Sequence, residues 1–246
     1  MRQRLLTENK FSKYLIYAIG EIFLVVIGIL IALNINNWNE NQKIKKLEIV
    51  FLENLQIDLE VDISNFSNRI KESEHVMKNN YFFIHESYKT QENIKDFKTL
   101  VGMIVWSTEH FVAQNSTYSE LNNSGQLNIF SNKNLKNSIV SHYLVYENVS
   151  NHIKEFNEFS TREFSKILPT IVKNGMNEHI FDEPYMFKET DWEFINDPSS
   201  QKFLLLESAA AVYANKHKLF KDYFEVLVKQ SQLLVDQINE ELESKK

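Results

Sequence analysis

Glu72 and His75 stand three residues apart, the spacing with which helical bundles present a carboxylate and an imidazole on one face to a dinuclear metal centre. Such centres use the pair twice and add two further glutamates. The chain has 7 His but no second Glu-x-x-His, so the pair reads as part of a solvated helix face and no metal ligand is assigned. Nucleophilic and nucleotide chemistry find as little footing. Cysteine is absent, which removes thiolate nucleophiles, disulfides and Cys-based metal centres. No G-x-S-x-G elbow, Walker loop, dinucleotide-binding glycine pattern or H-E-x-x-H occurs. The sequence therefore assigns no catalytic residue and no cofactor, and the expectation is a protein that is not an enzyme.

One ionisable group is out of place. Glu21 lies within Tyr14 to Leu33, a run of twenty residues of which thirteen are Leu, Ile, Val or Phe. At about 1.5 Å of rise per residue the run spans roughly 30 Å, the thickness of a hydrocarbon core. Thirteen such residues at about −0.3 to −0.6 kcal/mol each outweigh the roughly 3 kcal/mol penalty of one carboxyl group. The run is long for the apolar part of a cleaved signal peptide, and no small-x-small site follows it, so an uncleaved anchor is expected. Tyr14, Tyr17 and Trp38 flank it as interface anchors, where amphipathic rings settle among headgroups. On a helix, Ala18, Glu21, Gly28 and Ala32 share one face. Gly28 and Ala32 form a small-x-x-x-small pair that lets a second helix approach, and a carboxyl group facing that helix can share a hydrogen bond. These four are the candidate helix-packing residues.

Arg2, Arg4, Lys10 and Lys13 precede the run, whereas Lys43, Lys45 and Lys46 follow it after a polar gap. The positive-inside rule then puts residues 1–13 in the cytoplasm as a short tail, 14–33 across the membrane, and 34–246 outside the cytoplasm as a periplasmic helical domain. The net charge of −6 and the absence of a dense basic block argue against nucleic acid as a partner. The expected partners are the lipid bilayer and either further copies of the chain or another membrane protein.

With 5 Gly and 3 Pro in 246 residues, turns are too scarce for a sandwich or barrel. Leu47, Phe51, Leu55, Leu59, Ile63, Phe66, Ile70, Met77, Tyr81 and Ile84 recur at mostly helical spacing, extending the membrane helix into an amphipathic one. A further helix is expected over Ile94 to Trp106, although "LVGMIVW" suits a strand equally by periodicity. Thr117 and Glu120 form a capping-box pattern, Gly125 fits a left-handed corner, and Asn132 fits the cap of a long helix from Lys133 to about Lys173 that Pro169 kinks or breaks near its end. Asp197 with Pro198 reads as the start of a last helix reaching about Leu242. The fold class expected is all-α: one N-terminal transmembrane helix continuing into an antiparallel bundle of about four long helices. The aromatic residues Trp106, Phe111, Tyr118, Phe181, Tyr185, Phe187, Trp192 and Phe194 read either as core or as the lining of a pocket. Within the irregular segment 174–197, residues 181–194 are the candidate exposed loop.

The run "KYLIYAIGEIFLVVIGILIALNINNWNE" resembles the N-terminal signature of a family of uncharacterised single-pass membrane proteins of Gram-negative bacteria. The order Tyr14, Tyr17-Ala18, Gly20-Glu21, Gly28, Ala32 and Asn36-Asn37-Trp38-Asn39-Glu40 carries the resemblance. "TYSELNNSGQLNIFSNKNLKNSIVSHY" is similar to the family's second signature, with Asn123 in place of the first of two serines. The resemblance implies an inner-membrane address and a helical architecture, not a reaction. Two functions fit the sequence: a membrane-anchored interaction or scaffold protein, and a periplasmic sensory or ligand-binding module. With some 13 residues on the cytoplasmic side, the second would have to signal through a partner.

Overall fold

A computed structural model of the chain describes the backbone of residues 5–90, 93–172 and 189–245. The described residues contain no strand. The elements are α1 (Leu5–Ser87), α2 (Ile94–Met103), α3 (Ser116–Asn123), a 3-10 turn (Gln126–Ile129), α4 (Lys133–Ser165), a 3-10 helix (Glu189–Asn196) and α5 (Gln201–Lys245). The fold is all-α, and α1 contains both the apolar run and the first long helix of the bundle. Two compact units divide the chain, one ending at Leu52 and the other running Glu53–Lys246.

In the first unit α1 carries a stretch long and apolar enough to cross a membrane, none of it buried within the chain. Tyr14 is 75% exposed, Leu24 71% and Trp38 65%. A soluble domain does not leave such a length of Leu, Ile, Val and Phe uncovered.

In the second unit, three helices pack lengthwise. Glu74 meets Lys221 at 3.4 Å, Tyr81 Oη donates to Asn215 Oδ1 at 3.0 Å, and Tyr88 Oη donates to Glu207 Oε1 at 2.7 Å. As the numbers rise along α1 they fall along α5. The same reversal holds for α4, where Asn132 reaches Glu241, Tyr146 reaches Ser231 and Lys216 reaches Ser160. The long helices α1 and α4 therefore run antiparallel to α5 and parallel to each other. At one end Phe83, Phe97, Leu100, Trp192, Phe203 and Leu206 join α1, α2, the second 3-10 helix and α5 in one apolar cluster. Full burial of side chains of this size contributes about 2–3 kcal/mol each.

The stripe that α1 buries in this unit is Leu55, Leu59, Asp62, Phe66, Ser73, Val76, Asn80, Phe83 and Ser87, spaced three, four or seven apart. It only partly follows the expected apolar set. Tyr81 is exposed, and Ile63, Ile70, Met77 and Ile84 are half-buried. Four polar side chains hold core positions instead.

Several boundaries differ from expectation for local reasons. α2 stops at Met103, and residues 104–115 are neither helix nor strand. Thr117 does not start a capping box: α3 begins one residue earlier, Asn115 makes no capping bond, and Thr117 is itself buried. Asp58 from α1 takes over, accepting from Thr117 N–H at 3.2 Å and from Ser116 Oγ–H at 3.4 Å. A carboxylate suits a helix N-terminus. Gly125 is left-handed at φ 70°, as expected, and Asn132 caps α4 through the N–H groups of Asn134 and Leu135. α4 ends at Ser165 and helical backbone resumes over residues 168–172, so the helical stretch is broken near its end, as expected from Pro169. Ser165 is four residues before Pro169, where the proline ring would clash with the carbonyl oxygen. α5 starts at Gln201 because Asp197 closes a turn with the Ser199 N–H at 2.9 Å. Ser200 becomes the cap, its Oγ accepting from Phe203 N–H at 3.3 Å.

Candidate functional site

Residues 104–115 pass between the long helices of the second unit without a helical or strand ladder, so their backbone groups need other partners. Buried polar side chains supply them. Asn80 Oδ1 accepts from Val105 N–H at 2.8 Å, and Asn80 Nδ2 donates to Val105 O at 3.3 Å. Lys216 Nζ donates to Ser107 O at 2.8 Å, and His217 Nε2 lies 3.3 Å from the same oxygen. Asn157 Nδ2 donates to Glu109 O. Asp62 Oδ1 accepts from Gln114 N–H at 2.8 Å. Together α1 gives Asn80 and Asp62, α4 gives Asn157, and α5 gives Lys216 and His217.

Electrostatics follow from this burial. Lys216 is 3% exposed; its Nζ also reaches Ser160 Oγ at 3.1 Å and Asn157 Oδ1 at 3.3 Å, and lies 4.1 Å from the Tyr213 ring centre. Desolvation draws its pKa down to about 8 despite the opposing charge of Glu109. His217 is held at about 4 by burial and by the Lys216 charge. It is therefore neutral at pH 7, with Nε2–H donating to Ser107 O and Nδ1 left to accept from Ser73 Oγ–H at 3.4 Å. Glu109 is also buried, and desolvation raises its pKa although Arg69 lies 3.3 Å away.

The second half of the segment walls a cleft. Phe111, Val112, Ala113 and Asn115 form one side, α3 contributes Tyr118 and Ser119, and α4 contributes Tyr143, Tyr146, Glu147, Ser150 and Asn151, around about 480 Å³. Tyr118 and Tyr143 stack with ring centres 4.2 Å apart and planes 7° from parallel. Phe111 stands edge-on to Tyr146 at 5.6 Å. Behind the rings, Tyr146 Oη is hydrogen-bonded to Ser231 Oγ at 3.0 Å, and Ser231 Oγ lies 3.4 Å from His142 Nε2. Burial alone lowers the His142 pKa to about 4.

Two buried polar atoms find no hydrogen-bond partner among the described residues: Asp62 Oδ2 and Tyr143 Oη. Burial lifts the Asp62 pKa to about 6, more than the Gln114 N–H and the nearby Tyr146 hydroxyl lower it, with Asp58 pushing the same way as burial. Burial together with the charges of Asp58 and Asp62 raises the Tyr143 phenol well above its ordinary range.

The residues singled out in the sequence have different fates. Tyr14, Tyr17, Ala18, Glu21, Gly28, Ala32 and Trp38 are all exposed on α1. Ala18, Glu21, Gly28 and Ala32 fall within an arc of about 80° at 100° per residue, and a Cβ added at Gly28 would meet nothing within 4 Å. Glu72 and His75 face solvent, the first 2.8 Å from Arg69 and the second 3.3 Å from Asn79. No three His, Asp or Glu side chains converge as metal ligands among the described residues. Trp106 stacks on Phe164 at 4.4 Å and Trp192 on Phe194 at 5.8 Å, both as packing. Of the candidate loop 181–194, Trp192 and Ile195 beside it are buried, while Phe181, Tyr185 and Phe187 lie outside the described residues. Sequence reasoning missed Asp62, Asn80, Asn157, Lys216 and His217. Their one signal was polarity at positions that continue an apolar stripe.

Comparison with known proteins adds one match. No curated protein and no solved structure matches the chain. A family model described as a family of unknown function, DUF6090, matches residues 21–172, from the acid in the apolar run to the end of the short helical stretch 168–172 beyond α4. That is more than half of the chain and takes in the apolar run from Glu21 onward, the 104–115 segment and the cleft. The chain belongs to the DUF6090 family of unknown function.

Proposed function

We propose that this is a membrane-anchored helical interaction or scaffold protein, without catalytic activity, held in a bacterial inner membrane by residues 14–33. In this reading residues 1–13 are cytoplasmic and 34–246 periplasmic, and the chain associates with further copies or with another membrane protein through the Ala18, Glu21, Gly28 and Ala32 face and through the bundle. The observation that carries it is the uncovered apolar length of α1, with Tyr14 and Trp38 at its ends and none of the span buried within the chain. The charge asymmetry across the span supports the orientation.

The test is a reporter active only outside the cytoplasm, fused after Lys246 in a Gram-negative host, together with alkaline extraction of the membranes. The account expects an active fusion that stays with the bilayer. An inactive fusion on a stably expressed chain overturns the orientation, and release by alkaline extraction overturns the anchor.

A second reading is favoured by one specific feature, the aromatic cleft between residues 111–115, α3 and α4. Its volume falls in the range of small-molecule sites, and it suits a periplasmic ligand-binding module that passes its signal to a membrane partner.

A further inference from the structure

Residues 112–119 form one wall of the cleft and are tied to α1 by two carboxylates one helical turn apart. Asp62 Oδ1 accepts from Gln114 N–H at 2.8 Å, and Asp58 Oδ2 accepts from Thr117 N–H at 3.2 Å and from Ser116 Oγ–H at 3.4 Å. Just before the wall Phe111 stacks on Phe66 with ring centres 5.6 Å apart, so the part that depends on the carboxylates begins beyond it. Asp62 is fully buried, and its Oδ2 has no hydrogen-bond partner among the described residues. A carboxylate so placed carries its charge at a cost that contact with water removes.

Among the described residues, the groups that bear on Asp62 bring no counter-charge. Asp58 is a like charge on α1, and on α4 burial keeps the Tyr143 and Tyr146 phenols neutral, as it does Tyr118 of α3, stacked on Tyr143. α5 presents the Ser231 hydroxyl, with the neutral His142 ring beyond it. Arg69, two turns further along α1, is taken up by Glu72 and by Glu109 of the irregular segment.

We propose that Asp62 is a pH-sensitive latch on the cleft wall: protonated, it keeps residues 112–119 closed against α1, and ionised, it favours their release into water. The direction follows from linkage. In the closed form Asp62 titrates near its raised value of about 6, and in water it returns to the ordinary 3.8. Between these values the closed form holds the proton and the released form gives it up, so release gains as pH rises and levels off once both forms are ionised. The latch is a property of the second unit and does not depend on what the cleft binds.

The test is hydrogen exchange of the full chain in detergent micelles, resolved to single amides and corrected for intrinsic exchange. The Gln114 and Thr117 amides should be less protected than those of the buried Phe220 and Phe224 on α5 by at least about tenfold, which separates a local opening from unfolding of the whole unit. Between about pH 5 and about pH 7.5 the protection of Gln114 should fall about tenfold, the ratio that the two titration points set. Asp62→Asn keeps an acceptor for Gln114 N–H and cannot ionise, so the fall should shrink below about twofold. Asp58→Asn weakens the hold on Ser116 and Thr117 and leaves Asp62 in place; it should be less protected at every pH and still show the fall. It decides the matter alone if circular dichroism shows Asp62→Asn unfolded. Protection of Gln114 that does not change with pH overturns the latch, as does an equal fall in Asp62→Asn or its loss in Asp58→Asn. Equal protection of the wall and the α5 amides also overturns it, because the wall would then open only with the whole unit.

Discussion

Asn80 on α1 pairs both backbone groups of Val105, accepting from its N–H at 2.8 Å and donating to its carbonyl at 3.3 Å. An asparagine amide carries the donor and acceptor of a peptide unit at a similar separation, so Asn80 stands where a neighbouring strand would otherwise stand. Asn80 Nδ2 is also 3.5 Å from Ala210 O on α5. One side chain thus links two helices of the second unit and the extended segment between them.

Replacing Asn80 with Ala removes that link and leaves Val105 N–H and C=O facing a cavity. The expected loss is about 2–4 kcal/mol, from two backbone groups at roughly 1–2 kcal/mol each. Thermal or urea unfolding of the full chain in micelles, followed by circular dichroism, measures it. A loss below about 0.5 kcal/mol would mean that water or a shifted backbone pairs Val105 equally well.

Lys216→Met keeps the stem and removes the donors that serve Ser107, Asn157 and Ser160. The expected destabilisation at pH 7 is about 3 kcal/mol, the scale for deleting one member of a buried charged network. Its pH dependence is specific. Between the folded pKa of about 8 and the ordinary 10.5, the unfolded wild type binds a proton that the folded form does not, so wild-type stability rises with pH through that window. The deficit of the Met variant therefore widens from pH 8 to 10. A deficit that shrinks over this range contradicts the burial of the ammonium.

Asp62 works in the opposite direction. Its folded pKa of about 6 lies above the ordinary 3.8, so between these values the folded state binds the proton and wild-type stability falls as pH rises. Asp62→Asn preserves an acceptor for Gln114 N–H and cannot ionise. The variant should gain on the wild type by up to about 3 kcal/mol between pH 4 and pH 7, at 1.36 kcal/mol per pKa unit. His142 and His217 titrate in both proteins and cancel in the difference. Parallel stability curves for the two proteins would rule out the raised pKa.

Much of this architecture was legible in the sequence because it depends on local physics. The long apolar helix announces itself by its composition, Gly125 by the left-handed corner it permits, and Asn132 by the reach of its side chain to the amides of Asn134 and Leu135. Thr117 with Glu120 and Asp197 with Pro198 were misleading for the opposite reason. Each is a sound local start signal, overridden by a carboxylate from another helix in the first case and by a competing turn in the second. The 104–115 segment was hardest to see. A periodicity search scores Leu, Ile and Val and passes over Asp62 and Asn80, yet these occupy the core stripe because the irregular segment beside them needs hydrogen-bond partners. That need is visible only once residues 62 and 114, or 80 and 105, are neighbours.

The most direct measurement of the association account is disulfide crosslinking in native membranes through cysteines introduced at Val25 or Gly28, in a chain that has no cysteine of its own. The comparison is between chains with and without Glu21→Leu. The account expects a defined crosslinked species, a dimer or a complex with one other membrane protein. It expects that species to fall severalfold with Glu21→Leu while the amount of chain in the membrane is unchanged, since the substitution removes an insertion penalty. Crosslinking that is equally strong with leucine at position 21, or absent in both chains, would contradict a pairing face built on Glu21 and Gly28.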